Sequence, residues 1–251
     1  MSSQDLSETI AIVTGASKGF GRGVAAALSH AGAQVIGVAR DTARLEQVHA
    51  ELGETFTPVA ADASDPVVAG QLIDTYQPRT LVLNAGARPL TRPVHQHTWE
   101  TFSRNWHVDV QQVFNWTREA LIHPLAPGST VVAFSSGAAV AGSPLSGGYA
   151  GAKATQRFIA AYAQDEAQRA GLDLTFTAVL PRITSHAGVG RPAVRAYAAR
   201  GGKSEEEYLE QFGPPLTPAI AGAAMVELVR KDAAALATSY MLTGGGLQDL
   251  A

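Results

Sequence analysis

The 251-residue sequence predicts an α/β protein: a doubly wound parallel sheet with helices on both faces and a helical lid inserted late in the chain. Three observations predict it. Short β-rich runs alternate with longer Ala-rich stretches of helical period, in the order βαβαβαβ. Most of the short runs are apolar almost throughout, as strands covered on both faces are. Lastly, Thr184 to Pro218 is too long for a simple connection, and its Arg191-Pro192, Gly201-Gly202 and Pro214-Pro215 punctuate an Ala-rich and Glu-rich centre.

In chain order, strands are expected at Thr9 to Val13, Gln34 to Val38, Phe56 to Ala60, Thr80 to Leu83, Ser129 to Phe134 and Leu174 to Val179. Helices are expected at Gly21 to Ala31, Thr42 to Leu52, Pro66 to Thr75, Thr98 to Leu121, Tyr149 to Ala170 and Pro218 to Val229. Outside the lid no repeat, low-complexity tract or Gly/Ser linker marks a second domain, so one domain over 1–251 is expected, with the lid at 184–217.

Composition narrows the function. A hydrophobic content of 46% supports one large core. A net charge of −3 with a pI near 6.2 offers no basic face for nucleic acid, so small-molecule chemistry is expected. The absence of cysteine excludes disulfides, thiolate metal sites and a cysteine nucleophile, and fits a reducing cytoplasm. No HExxH or histidine cluster points to a metal. The opening MSSQDLSETI lacks a basic and apolar leader, and no apolar run reaches the length of a membrane span; a cytoplasmic protein without a membrane partner is expected.

Directly after the first strand comes TGASKGFG, in which Gly15, Gly19 and Gly21 open a helix. Glycine permits a tight turn and close backbone approach, and the helix N-terminus offers N–H groups to a pyrophosphate. Alone, such a turn is also an ordinary strand-to-helix corner. The second strand ends VIGVAR, so no carboxylate sits at the tip where an acidic side chain would bind an unphosphorylated ribose. Arg40, with Lys18 in the glycine turn, can instead meet a 2′-phosphate, which favours NADP(H) over NAD(H). Asp62, past the third strand, either accepts from an adenine amino group or is a turn aspartate.

The fifth strand runs into FSSGAAVAG, and YAGAK begins 13 residues after Ser136. On a helix Tyr149 and Lys153 are i, i+4 and share a face. A phenol carries protons poorly at neutral pH, and a neighbouring ammonium favours its phenolate. Tyr149 can then exchange a proton with a carbonyl or alcohol oxygen, while Ser136, at the carboxyl end of a strand, holds the same oxygen.

Taken together, TGASKGFG, Asn84-Ala85-Gly86, Ser136 and YAGAK resemble, in order and spacing, the motifs of the short-chain dehydrogenase/reductase family over essentially the whole chain. The resemblance implies a Rossmann-like sheet of about seven strands, a homodimer or homotetramer, and reversible carbonyl-alcohol oxidoreduction. It implies cofactor contacts from Gly15, Ser17, Lys18, Gly19, Phe20 and Gly21 in the first turn. Arg40, Asp62, Ala63, Asn84, Ala85 and Gly86 come next along the sheet, and Tyr149, Lys153, Pro181 and Ile183 at the nicotinamide, with Lys153 on the ribose.

Three departures stand out. Where many members carry a relay asparagine in the helix after NAG, this chain has Asp109, which can still hold a water, with Asn105 one turn earlier. After the sixth strand LPRITSH keeps Pro181 but has Arg182 in place of glycine, with Ile183 and Thr184 in reach of the nicotinamide. His186 is either an extra acid or base or a loop histidine. Finally, LTGGGLQDLA lacks the usual Val-Asp-Gly-Gly ending, so the last strand is expected to be short or displaced. Trp99, Trp106 and Trp116 belong either to a helix-pair interface or to the core.

The reading is an NADP(H)-dependent oxidoreductase acting on CH–OH or carbonyl groups, with Ser136, Tyr149, Lys153 and Asp109 as the catalytic set. The lid, with Val189, Tyr197, Tyr208 and Phe212, is expected to favour a fairly hydrophobic substrate. Two alternatives are a cofactor-binding regulatory or scaffolding protein without turnover, and a reductase of imines or activated alkenes.

Overall fold

A computed structural model describes residues 5–186, 188 and 190–250. The chain begins with β1 (Ile10–Thr14), α1 (Gly19–His30), β2 (Gln34–Ala39), α2 (Thr42–Leu52), β3 (Phe56–Ala60), α3 (Pro66–Tyr76) and β4 (Thr80–Leu83). Asp41 and Asp65 cap α2 and α3 by accepting the Arg44 and Val67 amides, and Pro66 at the start of α3 needs no amide partner.

The predicted helix over Thr98 to Leu121 is not continuous. It divides into α4 (Trp99–Ser103), a π-helical turn at Trp106–Val110 and α5 (Gln111–Ile122). Within the turn the Val110 and Asp109 amides both donate to the Asn105 carbonyl, and Gln111 reaches back to Trp106. One residue is thereby inserted into the helical register, which re-aims the side chains beyond it.

The second half runs through β5 (Ser129–Phe134), α6 (Ala138–Ala141), α7 (Gly147–Arg169), β6 (Leu174–Pro181), α8 (Gly190–Arg200), α9 (Glu205–Glu210), α10 (Pro218–Val229), β7 (Ser239–Thr243) and β8 (Gly246–Asp249). The expected lid contains two helices, α8 and α9, the latter opened by a capping box between Ser204 and Glu207. Val189 lies outside the described residues.

The strand order is β3-β2-β1-β4-β5-β6-β7-β8. The first seven of these are parallel to their neighbours, and β8 adds a short antiparallel edge of four residues against β7. This is the Rossmann-like sheet that the motifs imply, and the last strand is short. Successive residues of a strand face opposite sides, so Val13 packs with Val24, Leu28, Leu45 and Met225 while Ile12 packs with Ile73, Val113, Trp116 and Phe176. Helices thus cover both faces, and the central strands are buried on both, while the edge strands β3 and β8 are only partly covered. The order reverses between β1 and β4, and a crevice opens beyond the carboxyl ends of the strands at that point.

Candidate active site

The crevice encloses about 1090 Å³. Its floor begins at the turn between β1 and α1. Gly15 and Gly19 have φ of +71° and +57°, a region glycine enters at no steric cost. A Cβ on Gly15 would stand 2.8 Å from Asn84 Nδ2, whereas one on Gly19 would meet nothing within 4 Å, so Gly19 faces open space. Gly21 does not line the crevice. It lies beneath, where a Cβ would collide with the Gly15 carbonyl, and so it lets the turn close on the helix. Lys18 caps α1 without a side-chain bond, leaving first-turn amides of the helix for another acceptor.

One hydroxyl ties this turn to the next strand. Thr14 Oγ1 accepts from the Asn84 amide at 2.9 Å and the Ala85 amide at 3.0 Å, and donates to Gln112 Oε1 at 2.9 Å. Asn84 Nδ2 returns to the Thr14 carbonyl at 3.1 Å, and Gln112 Nε2 donates to the Ala85 carbonyl at 3.1 Å. Asn84 and Ala85 are thereby tied to the end of β1 and to Gln112. Thr14 and Gln112 were not singled out in the sequence; the first was visible only as the opening letter of TGASKGFG.

Ser17, Lys18 and Phe20 line one end of the crevice with Arg40, Asp62 and Ala63. Asp62 Oδ1 accepts from both the Ser64 amide (2.9 Å) and hydroxyl (2.7 Å), making it a turn aspartate whatever else it binds. The Ser64 amide, the Ser64 hydroxyl and then Arg40 hold its carboxyl below the ordinary range, against partial burial. The Arg40 guanidinium is 3.8 Å from Asp62 Oδ2, and both side chains are largely exposed, so the pair is weak and Arg40 can turn to another anion.

At the other end stand Ser136, Tyr149, Lys153, Pro181 and Ile183. Ser136 comes just after β5, and its Oγ accepts from the Ala138 amide at 3.2 Å, which leaves the hydroxyl proton for another acceptor. Tyr149 sits in the first turn of α7, and the Lys153 ammonium lies 5.6 Å from its ring centroid. Lys153 is buried and donates to the Phe134 carbonyl and to Gln156 Oε1, both at 2.9 Å, so two of its three N–H groups are placed by the protein.

Asp109 lies under this lysine. Its Oδ1 accepts from the Ala87 amide at 2.7 Å and from Asn105 Nδ2 at 3.2 Å. Asn105 Nδ2 also bonds the Ala87 carbonyl at 2.8 Å. Oδ2 faces Lys153 Nζ at 3.2 Å, out of hydrogen-bond alignment and with no other donor among the described residues. The Asp109 carbonyl accepts from Gln156 Nε2 at 2.6 Å. Asn105 thus positions the aspartate, and Gln156, which sequence reading passed over, joins its backbone to the lysine; the signal was its place three residues beyond Lys153.

The remaining candidates divide. Trp116 is buried, donating to the Ala63 carbonyl at 2.9 Å, while Trp99 and Trp106 are exposed. Thr184 lines the crevice but its hydroxyl donates to the Leu216 carbonyl, and the exposed His186 does not reach the crevice wall. Tyr197 on α8, Tyr208 on α9 and Phe212 just after it line the crevice, and the Tyr197 hydroxyl is tied to Ser143 Oγ at 2.6 Å and the Leu145 amide at 3.0 Å.

Crevices of this kind, at a strand-order reversal and floored by a glycine turn, hold dinucleotides in oxidoreductases. The chain belongs to the short chain dehydrogenase family, whose model matches residues 9–198. It is 34% identical over 124 residues to an L-xylulose reductase of Mesocricetus auratus, covering 48% of this chain and 50% of that protein. With carbonyl reductase [NADPH] 2 of Sus scrofa the identity is 32% over 124 residues, again 48% and 50%. The chain spans about half the length of these curated relatives. A 3-ketoacyl-(acyl-carrier-protein) reductase from Brucella melitensis, solved in complex with NADH, shares the fold. It has a TM-score of 0.81 at 23% identity over 96% of this chain and 98% of that one. Among the described residues no helix is long and apolar enough to cross a membrane.

Proposed function

We propose that this protein is an NADP(H)-dependent oxidoreductase that interconverts a ketone or aldehyde and an alcohol, with Tyr149 as the acid and base. The observation that carries the reading is the meeting of Ser136, Tyr149 and Lys153 in one crevice whose far end is the open glycine turn. The residues fit a dinucleotide: Gly19 leaves room above the uncapped start of α1, and Lys18 and Arg40 stand at the end where a 2′-phosphate would lie. Names of relatives that specify NADPH or NADP support the choice.

The nicotinamide, when bound, supplies or takes up the hydride at the carbonyl carbon. In reduction, the Ser136 hydroxyl donates to the carbonyl oxygen and fixes it, and Tyr149 passes its phenolic proton to that oxygen, leaving the phenolate. Lys153 keeps a positive charge beside the ring and has one N–H left for the crevice, which we assign to a ribose hydroxyl. Asp109 and Gln156 hold that ammonium in place. Oxidation reverses each transfer.

NADPH consumption against a panel of ketones and aldehydes tests the reading, with imines and activated alkenes beside them. Turnover of a carbonyl compound that disappears in Tyr149→Phe is the expected result. Cofactor binding without turnover of any compound, or an unaffected Tyr149→Phe, would sink it.

For assembly we propose a homo-oligomer through the helices after NAG. Exposed Trp106 and Phe114 lie on the π-turn and α5, and exposed Phe158 and Tyr162 stack on α7 with centroids 6.0 Å apart. Scattered single apolar residues are ordinary, but a run of aromatic rings on adjacent helices is the composition of an interface. Light scattering should give a multiple of the 26.1 kDa chain mass, falling to one chain in Phe158→Glu/Tyr162→Glu.

A further inference from the structure

The charges along the crevice do not balance, and the surplus falls where the proposed proton transfer does not need it. Six cations line the crevice, together with three carboxylates. Asp41 faces Arg44, Asp62 faces Arg40 and Asp109 faces Lys153. Lys18, Arg88 and Arg182 remain. Lys18 stands in the glycine turn, at the cofactor end. Arg88 and Arg182 stand at the other end, both exposed, and neither forms an ion pair among the described residues.

Their placement is set by the sheet. Arg88 lies in the loop after β4 and Arg182 comes directly after β6, and these are the two neighbours of β5, the strand that leads to Ser136. Two strand spacings, roughly 10 Å, separate their attachment points, within the joint reach of two arginine side chains. The Arg182 amide donates to the Leu242 carbonyl at 2.8 Å, which anchors its backbone to β7. The two arginines are therefore attached on either side of the strand that leads to Ser136, and both line the crevice. Above them the lid contributes an apolar wall: Tyr197 and Tyr208 lie with their rings 9° from parallel, and Phe212 meets Tyr208 edge-on at 5.4 Å.

We propose that the substrate carries an anionic group, carboxylate or phosphate, beside an apolar body, with Arg88 and Arg182 binding the anion and Tyr197, Tyr208 and Phe212 packing the body. The inference rests on the carbonyl-alcohol reading above and names its substrate class. Guanidinium forks match the planar or tetrahedral oxygens of either anion through paired hydrogen bonds. A neutral carbonyl compound would leave both cations without a counter-charge. The lost charge-assisted bonds correspond to a roughly 10- to 100-fold difference in binding.

Binding and turnover are measured separately, so that the two readings can fail separately. Benzoate, phenyl phosphate and benzamide are titrated calorimetrically into the NADP⁺-loaded protein. At least one of the two anions should bind about tenfold or more tightly than benzamide, and which one does identifies the anion. Arg88→Ala and Arg182→Ala should each erase that preference while leaving the affinity for NADPH, followed by nucleotide fluorescence, within about twofold. Equal binding of all three probes would overturn the proposal, as would an unaltered anion preference in both variants. A loss of NADPH affinity that accounts for the whole effect would overturn it too, by returning the arginines to the cofactor. In turnover, benzoylformate is compared with its methyl ester. A preference for the acid that both variants abolish, with reduction of the ester preserved, supports the assignment if carboxylate is the anion. Arginine-dependent anion binding with no reduction of either compound would leave the anion site standing and remove the carbonyl-reductase reading. Reduction of the ester alone, without anion binding, would do the reverse.

Discussion

Lys153 Nζ lies 3.2 Å from Asp109 Oδ2, and both side chains are almost wholly buried. Removing one partner of a buried pair leaves the other charge uncompensated, at a cost of about 3–5 kcal/mol. Asp109→Ala should therefore lower Tm by roughly 10 °C in a thermal melt. Asp109→Asn keeps an oxygen for the Ala87 amide but also removes the charge opposite Lys153, so it should lose most of the same stability. A melt of Asp109→Ala within about 2 °C of the parent would show that the pair contributes nothing to the fold.

Tyr149→Phe retains the ring over which Lys153 sits and deletes only the hydroxyl. General acid catalysis contributes about 10²- to 10⁴-fold, so kcat for carbonyl reduction should fall by that factor. The affinity for NADPH, followed by nucleotide fluorescence, should change by less than about threefold.

Arg40→Asp places a carboxylate at the tip of β2, next to Asp62. NADPH affinity should fall about 10- to 100-fold and NADH affinity by much less, since only the former carries the 2′-phosphate. Equal losses for both nucleotides in parallel titrations would take Arg40 away from that phosphate.

Gly21→Ala tests the glycine turn from below. Because the added Cβ would collide with the Gly15 carbonyl, the turn must open, and NADPH affinity should drop at least about tenfold although Gly21 itself does not line the crevice. Thermal stability, measured alongside, should also decrease.

Tyr197→Phe removes the hydroxyl that ties α8 to Ser143 and the Leu145 amide. With the lid held less firmly over the substrate end, KM for the carbonyl substrate should rise several-fold, with NADPH affinity unaltered. Stopped-flow and steady-state measurements together separate that effect from a change in the chemical step.

The alternation of strands and helices was legible because burial on two faces imposes long apolar runs, and α2 and α10 begin and end where their caps and prolines predict. The split of the helix after NAG was not. Residues 98 to 121 contain neither Gly nor Pro, and a π-turn changes which carbonyl an amide reaches without changing the periodic pattern enough to be read. The site divides in the same way. Local motifs located the glycine turn, Ser136, Tyr149 and Lys153, because each couples a residue type to a nearby strand end or helix face. Thr14 to Gln112 and Gln156 to the Asp109 carbonyl join polar groups 98 and 47 residues apart, and nothing in either neighbourhood names the other partner. The exposed Arg88 and Arg182 became informative only once the strand order set them on either side of β5.

The π-turn at Trp106–Val110 gives Asp109 two separate determinants, its chemical identity and its angular phase. Each residue added to or removed from a helix rotates the downstream residues by about 100°. Deleting Val108 would keep the carboxylate in the sequence yet place it three instead of four residues beyond Asn105, about 100° away from its present angle relative to that residue. The constraint on this segment is thus on the count of residues as much as on their kinds. Substitution alone explores only one of those two dimensions, so a chain built this way is more tolerant of exchange at Val108 than of its loss.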